Sequence, residues 1–218
     1  MNTNKLKKFA QETRRKLLKQ VNGKLEHVLN TDSSELRGKA QTVKELKKEL
    51  DKLGREALVD KVAYTWFNRL VALRYMDARG YQPLEMAILT PQEGQVSPQI
   101  LQEAMAGHIP GELKVNTQQV MDILDGRISS SNPENEAYRL LLVASCNHLH
   151  SIFPFLFEAI DDYTELLLPD DLTSEFSIVQ DVINGMTDED CQQVEILGWL
   201  YQFYISEKKD ELIKAKKK

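Results

Sequence analysis

"VAYTWFNRLVALRYMDARGY", residues 62–81, is the stretch that decides the fold of this chain. Apolar side chains stand on nearly every side of the helix that it would form, which is typical of a helix buried in a core. Gly80 predicts where the helix ends, because glycine is favoured just past the last helical residue. We expect four of its large apolar side chains to be core residues: Trp66, Phe67, Leu70 and Leu73.

Two arginines, Arg69 and Arg74, interrupt this apolar run. One interpretation is ion pairing inside the core, for Arg74 either with Asp77 one turn further along or with acids from a distant part of the chain. The other interpretation is a functional surface built on a rigid helix. Burying an arginine without a partner is costly, so internal pairing is the favoured interpretation.

The composition of the 218-residue chain favours helices. Glycine and proline number only 10 and 7, and no alternating run is long enough to predict a sheet. The predicted fold class is therefore mainly α, a multi-helix domain with short irregular connections. Cys146 and Cys191 form no motif, which favours a reducing cytoplasm over a disulfide framework. No apolar run approaches the roughly 18 residues that span a bilayer, and no signal peptide is evident, so we expect a cytoplasmic protein without membrane contact.

Helical periodicity and capping residues place the individual helices. We predict α-helices over 4–29, 32–54, 55–79, 98–107, 117–126, 133–150, 174–184 and 188–208. Asn4 is the expected cap of the first helix, and Gly23 is a point where that helix would break or kink. For the second helix, Asp32 and Glu35 have the spacing of a capping box.

Charge is distributed unevenly along the sequence. Residues 1–79 carry 19 Lys/Arg against 10 Asp/Glu, residues 80–206 carry 3 against 20, and residues 207–218 carry 6 against 3. We divide the chain into a basic helical part (1–80), an irregular connection (81–97), an acidic helical part of the same domain (98–206) and a basic tail (207–218). The split indicates an anionic partner for the basic part or a basic partner for the acidic part, unless both are simply solvated faces.

The first helix carries the best candidates for contact with nucleic acid. Its apolar stripe includes Leu6, Ala10, Leu17 and Val21. Five basic residues are predicted to face away from that stripe and to contact phosphates: Lys7, Lys8, Arg14, Arg15 and Lys19. Contacts of this kind hold a duplex without choosing its sequence.

Motifs for catalysis or cofactor binding are missing from the sequence. It contains no G-x-S-x-G, no G-x-G-x-x-G and no Walker-type loop, so no catalytic or cofactor-binding residue is predicted. In "CNHLH" only Cys146 and His150 would share a helix face, and two ligands do not make a zinc site. The acidic pairs 161–162 and 170–171 are interpreted as solvated caps rather than Mg²⁺ ligands.

Four stretches, in order, carry a resemblance to a known family. They are "MNTNKLKKFAQETRRKLL" (1–18), "KVAYTWFNRLVALRYMDARGY" (61–81), "EAYRLLLVASCNHLHSIFPFLFEAIDDYTELLLPDDL" (136–172) and "ILGWLYQFYISEKKDE" (196–211). Together they resemble the N-terminal region of the BREX phage-defence adenine-specific DNA methyltransferases of the PglX type.

The resemblance implies a parent enzyme that uses S-adenosylmethionine to methylate adenine N6 in double-stranded DNA. The glycine-containing cofactor motif and the Asn-Pro-Pro-Tyr loop of that family are not found before Lys218. We therefore expect an N-terminal helical domain without catalytic or cofactor residues of its own. Its basic tail would lead towards an absent methyltransferase core.

Two functions follow from these expectations. The first is an accessory domain that presents the basic N-terminal face to the DNA backbone. The second is a protein-interaction module, which assembles the defence complex with other BREX proteins or serves as the docking surface of a phage inhibitor.

Overall fold

The computed structural model describes residues 2–154, 157 and 163–216, and the regular secondary structure of these residues is almost entirely helical. The helices are α1 (Thr3–Asn30), α2 (Ser34–Gly38), α3 (Ala40–Leu53), α4 (Arg55–Arg79), α5 (Gln99–Met105), α6 (Thr117–Leu124), α7 (Pro133–Ile152), α8 (Tyr163–Leu166), α9 (Ile178–Gly185) and α10 (Glu195–Lys216). The only β-pairing among the described residues is one isolated bridge between Pro91 and Pro98. The prediction of a mainly α fold is thus confirmed. No helix in the described ranges is long and apolar enough to cross a membrane.

Helix α1 is continuous over its 28 residues. The Asn2 side chain caps it by accepting the backbone N–H of Lys5 at 3.1 Å, two residues before the expected cap Asn4. The helix runs through Gly23 without the predicted break. Its buried stripe includes Leu17 and Val21, because three- and four-residue steps keep apolar side chains on one face.

The expected helix over 32–54 is divided in two. The Ser33 hydroxyl accepts the N–H of Leu36 at 3.2 Å and starts α2, so Ser33 and not Asp32 is the cap. Lys39 leaves helical geometry, with φ −108° and ψ 28°, and α3 begins after it. Gly54 ends α3 as predicted, at a positive φ of 78° that glycine adopts without strain.

Helix α4, which contains most of the apolar stretch 62–81, is the centre of the core. Trp66, Phe67, Leu70 and Leu73 are buried, so all four core predictions are confirmed. The Trp66 Nε1–H donates to the carbonyl oxygen of Thr164 at 3.0 Å, which satisfies the buried indole. The helix ends at Gly80 in left-handed geometry, as predicted.

The N-terminal and C-terminal ends of the chain pack on one another. Helix α1 contacts α4, α8, α9 and α10, while α5 and α6 pack on α7. Aromatic rings pack between α1, α4 and α10. The ring centroids of Phe9 and Phe67 are 6.4 Å apart, and those of Phe67 and Tyr204 are 4.7 Å apart. The basic helix α1 therefore lies directly against elements of the acidic part.

The C-terminal helices begin later than predicted. The helix expected over 188–208 is preceded by a 3₁₀ turn, Asp190–Gln192, and α10 starts only at Glu195. The turn is fixed by Thr187, whose hydroxyl accepts the Asp190 N–H at 3.2 Å and whose carbonyl accepts the Cys191 N–H at 3.0 Å. Likewise α9 starts at Ile178, because Ser177 caps it.

Candidate nucleic-acid interface

Arg14 does not face solvent, and the prediction that it does is wrong. The residue is 3% exposed, its Nη2 lies 3.3 Å from Asp60 Oδ1 on α4, and its Nη1 lies 3.7 Å from Glu207 Oε2 on α10. The guanidinium also stands over the ring of Tyr204, with 5.5 Å between Cζ and the ring centroid. Arg14 follows Ala10 by four residues and precedes Leu17 by three, so its spacing already placed it on the apolar stripe.

Arg15 is exposed but is held by an acid. Its Nε donates to Glu207 Oε1 at 2.7 Å, while its side chain is 62% accessible. Glu207 thus joins both arginines of α1 to α10. Lys208, one residue further on, donates to the second oxygen of Asp60. Two carboxylates and three cations form one ionic cluster between α1, α4 and α10.

The remaining three predicted contacts are exposed lysines of α1. Lys8 lies 3.8 Å from Glu12, a weak surface pair. Lys7 and Lys19 have no acidic partner within the described part of the chain. Twelve residues separate them, about 18 Å along a helix, so the structure does not bring the predicted residues together as a cluster.

Other cations of the basic part bind acids of the acidic part. Lys16 on α1 pairs with Asp181 on α9, and Lys24 on α1 pairs with Asp170. Lys39 lies 2.7 Å from Glu165 on α8. Much of the charge asymmetry in the sequence is therefore neutralised inside the molecule, between segments far apart along the chain.

A groove beside Lys19 collects further cations that the sequence did not single out. It has a volume of about 960 Å³ and lies between α1, the α3–α4 corner and Lys208 of α10. Leu18, Leu53, Ala57 and Val59 are the apolar residues that line it. Lys19, Arg55 and Lys208 supply positive charge, against the acids Glu56 and Asp60. Four helices build this groove, so no local sequence signal marks Arg55 or Lys208 as its members.

Arg55 is positioned at the rim of the groove. Its Nε donates to Asn22 Oδ1 at 2.8 Å, and its Nη2 lies 3.4 Å from Glu26. It directly follows the cap Gly54, so it belongs to the first turn of α4. The amide dipoles of a long helix make that end electropositive, which adds to the charge of the side chains around the groove.

Arg69 and Arg74 are buried rather than placed on a surface. Arg69 is 2% exposed, and its Cζ lies 5.0 Å from the ring centroid of Trp66. Arg74 donates to the carbonyl oxygen of Met186 at 2.9 Å and forms an ion pair with Asp188. Internal pairing of Arg74 is confirmed with an acid of the acidic part, whereas Asp77 as its direct partner is wrong.

Asp77 instead fixes the irregular connection that follows α4. Its carboxylate accepts the backbone N–H groups of Ile88, Leu89 and Thr90 at 3.0, 2.8 and 2.9 Å. The Thr90 hydroxyl donates to Asp77 at 3.1 Å and accepts from Arg74 at 3.2 Å, so it links the two side chains. Burial raises the pKa of the Asp77 carboxyl, and these backbone hydrogen bonds oppose the rise.

The Cys146–His150 segment is part of the helical core. Cys146 is fully buried, and desolvation raises the pKa of its thiol to about 12. The Nδ1–H of His150 donates a hydrogen bond to the carbonyl oxygen of Phe157, since a carbonyl oxygen can only accept. Within the described ranges, no group of three or more His, Cys, Asp or Glu side chains is arranged to hold a metal ion.

Asp170 and Asp171 both have partners in the structure. Asp171 accepts the N–H of Ser174 at 3.0 Å, as a local cap does. Asp170 takes part in the ion pair with Lys24. Asp161 and Asp162 lie outside the described residues.

Comparison with known proteins agrees with the resemblance seen in the sequence. The chain is 44% identical over 160 residues to the adenine-specific methyltransferase BrxX of Escherichia coli O9:H4 (strain HS), and this match covers 73% of the chain and 13% of BrxX. It is 34% identical over 167 residues to the adenine-specific methyltransferase PglX of Lacticaseibacillus casei (strain Zhang), covering 73% of the chain and 14% of PglX. No protein-family model matches.

The chain therefore corresponds to a small part of these much longer proteins. The predicted similarity to BREX adenine-specific methyltransferases of the PglX and BrxX type is confirmed. The chain is thus related to a region that makes up 13% of BrxX and 14% of PglX.

Proposed function

We propose that this chain, related to a region of the BREX adenine-specific methyltransferases, is a helical accessory domain that holds double-stranded DNA by its phosphate backbone. The observation that carries the proposal is the cationic surface around the groove, where Lys19 is exposed and without an acidic partner in the described structure. Lys7, Lys8 and Arg15 extend positive charge along α1. Phosphate contacts of this kind supply affinity and position rather than sequence choice.

The chemistry of methyl transfer belongs elsewhere in this proposal. A site for S-adenosylmethionine in such enzymes needs a glycine-containing loop between a strand and a helix. The described residues provide no strand and no such loop, so they do not fit the cofactor. S-adenosylmethionine and the flipped adenine would be held by the remaining length of a PglX-type protein, and this domain would keep the duplex in place.

Binding of the 218-residue chain to a short DNA duplex of arbitrary sequence tests the proposal. We expect measurable fluorescence anisotropy changes at about 50 mM salt and a steep loss of affinity by about 200 mM. The double variant Lys7→Gln/Lys19→Gln should bind more weakly and with a shallower dependence on salt. Lys114→Gln/Arg127→Gln removes the same charge from the acidic part and should bind as the unaltered chain does. No binding at low salt would overturn the proposal.

A second function is favoured by one feature of α10. Trp199 and Tyr201 are 39% and 51% exposed, and the Trp199 ring stacks on Phe203 with centroids 5.7 Å apart. Exposed aromatic side chains are enriched where proteins bind one another. Under this alternative the chain is a protein-interaction module of the defence complex, or the docking surface of a phage inhibitor.

Hydrogen exchange distinguishes the two functions. If the chain is an interaction module, added BREX proteins or a phage inhibitor should slow amide exchange along α10, and Trp199→Ala/Tyr201→Ala should abolish the effect. DNA should leave exchange in the 199–203 segment of α10 unchanged, because the groove reaches α10 only at Lys208. Protection of α1 and the α3–α4 corner by DNA, with α10 unaffected by any of these proteins, would contradict the interaction module.

A further inference from the structure

Helix α3 lies at the edge of the molecule and contributes little to the core. Leu46 is its only fully buried residue, while Val43, Leu50 and Leu53 are half-buried against the core. The helix packs on α4 and α8 along that one side. The opposite side, over nearly four turns, faces solvent.

Three lysines of α3 share the outward side. Lys44, Lys47 and Lys48 are all exposed, and their spacing of three and four residues places them next to one another on a helix. We call these three residues the α3 ridge. None of them has an acidic partner within the described part of the chain. The neighbouring Lys52 is different, since it lies 3.2 Å from Glu49.

The acids of α3 offset the positive charge of the ridge only in part. Glu45 accepts a hydrogen bond from Gln41 at 2.8 Å, and Glu49, with 21% of its side chain exposed, pairs with Lys52. Asp51 is the one acid of α3 on the outward side, where it lies three residues from Lys48 and four from Lys47. It forms no ion pair in the described structure, and one carboxylate beside three lysines leaves this side positively charged.

The α3 ridge contrasts with two lysines of α1 that face α9 and the connection before it. Lys16 and Lys24 have acids in reach, because the fold brings Asp181 and Asp170 to them. On α3, Lys44 and Lys48 instead form a like-charge pair at a spacing of four residues, which destabilises a helix. A ridge of like charges is relieved when an anionic partner neutralises it.

We propose that the α3 ridge is a second contact for the phosphate backbone of double-stranded DNA. Lys44 and Lys48 are about 6 Å apart along the helix axis, so they can meet neighbouring phosphates of one strand. The same helix ends at Leu53 and Gly54, which line the groove that contains Lys19. The duplex would cross from the groove onto α3. This inference rests on the proposed DNA-binding function and assigns to it residues outside α1.

The test compares two double variants of the full chain with equal loss of charge. Lys44→Gln/Lys48→Gln removes two cations of the ridge, and Lys114→Gln/Arg127→Gln removes two from the acidic part. Each lost phosphate contact lowers the slope of log K against log salt concentration by about 0.9, so the ridge variant should lose about 1.8 and bind about tenfold more weakly at low salt. The second variant should match the unaltered chain. Circular dichroism checks that both remain helical.

The outcomes separate this inference from the proposed function. If the unaltered chain binds DNA and the ridge variant binds equally well with the same slope, the α3 contact is overturned and the function stands. If both double variants weaken binding alike, the effect is one of net charge and the α3 contact is again overturned. If the unaltered chain binds polyglutamate but no duplex, both proposals fail. Restored affinity in Lys44→Arg/Lys48→Arg supports the contact.

Discussion

The Nη2 atom of Arg14 lies 3.3 Å from Oδ1 of Asp60, and this ion pair joins α1 to α4 in a place where Arg14 is 3% exposed. A charge taken out of water in this way needs its partners, because an ion left alone in the core is strongly destabilising. The pair thus fixes how α1 sits on α4, and with Glu207 it also fixes α10. Arg14 serves the fold, whereas the neighbouring Arg15 is solvated.

Replacing Arg14 should therefore unfold the protein more readily than replacing Arg15. We expect Arg14→Met to lower the free energy of unfolding by about 3 kcal/mol, because Asp60 and Glu207 lose a buried partner. Arg15→Met should cost less than about 1 kcal/mol, as exposed pairs do. Urea denaturation of both variants measures the difference. Equal stability of the two would show that the buried pair does not hold α1 in place.

The same contrast affects any test of DNA binding on α1. A loss of binding in an Arg14 variant would not separate a missing phosphate contact from a displaced helix. Lys7 and Lys19 avoid this difficulty, since they are exposed and unpaired in the described structure. Substituting them removes charge while leaving the ionic cluster intact.

Asp77 should be essential for the order of the connection after α4. Asp77→Ala leaves three backbone N–H groups without their acceptor, at a cost of about 1–3 kcal/mol for each group that stays buried. We expect a loss of at least about 3 kcal/mol in the free energy of unfolding and much faster amide exchange at Ile88, Leu89 and Thr90.

Thr90→Val is the matched control for Asp77→Ala. It removes only the hydroxyl between Asp77 and Arg74, so it should cost about 1 kcal/mol and leave exchange at Ile88 and Leu89 slow. If Asp77→Ala left these amides as protected as before, the carboxylate would not be what orders the connection.

The residues around Arg14 and Asp77 show how far the sequence could be interpreted. Core positions on α4 follow from a dense apolar pattern and from Gly80, both of which are local. The burial of Arg14 was also visible in its spacing from Ala10 and Leu17, although its charge suggested a surface. Its partners were not visible, because Glu207 lies 193 residues away along the chain. Local patterns do not specify which distant acid the fold brings to a given cation.

The groove and the connection after α4 were beyond sequence interpretation for the same reason. Arg55 and Lys208 come together only through the packing of α1, α4 and α10. For Asp77, the helical spacing to Arg74 suggested an ion pair along the helix, but three backbone N–H groups take the carboxylate instead. Buried backbone donors need acceptors, and this requirement prevails over a nearby charge.

Cys146 makes the stability of the protein depend on pH in the alkaline range. The pKa of its thiol is raised by burial from 9.0 to about 12. A group whose pKa is higher in the folded state stabilises that state below its unfolded pKa, and loses this contribution as the pH rises towards its folded pKa. Between pH 9 and 12 the unaltered chain should therefore lose stability more steeply than Cys146→Ala.

Thiol labelling provides an independent measurement for Cys146. The protonated, buried thiol should not react with iodoacetamide at about pH 8 unless the protein is denatured. Cys191 is also buried, and desolvation raises its pKa too, so it should be protected in the same way. Rapid labelling of Cys146 in the native chain would contradict its place in the core.

The contact between α1 and α9 should depend on a glycine. Gly185 lies so close to the ring of Phe9 that a Cβ atom added there would overlap the ring. Gly185→Ala forces the ring or the helix to move, and we expect a loss of about 1–3 kcal/mol in the free energy of unfolding. Gly23→Ala on α1 has open space around its Cβ and should stabilise the protein by about 0.5–1 kcal/mol, because alanine favours the helix.

A double-mutant cycle measures the coupling between Gly185 and the ring of Phe9. Phe9→Leu replaces the ring by a smaller side chain, so Gly185→Ala should cost less stability in that background. Equal effects of Gly185→Ala in the presence and absence of the Phe9 ring would show that the close approach does not constrain how α9 packs.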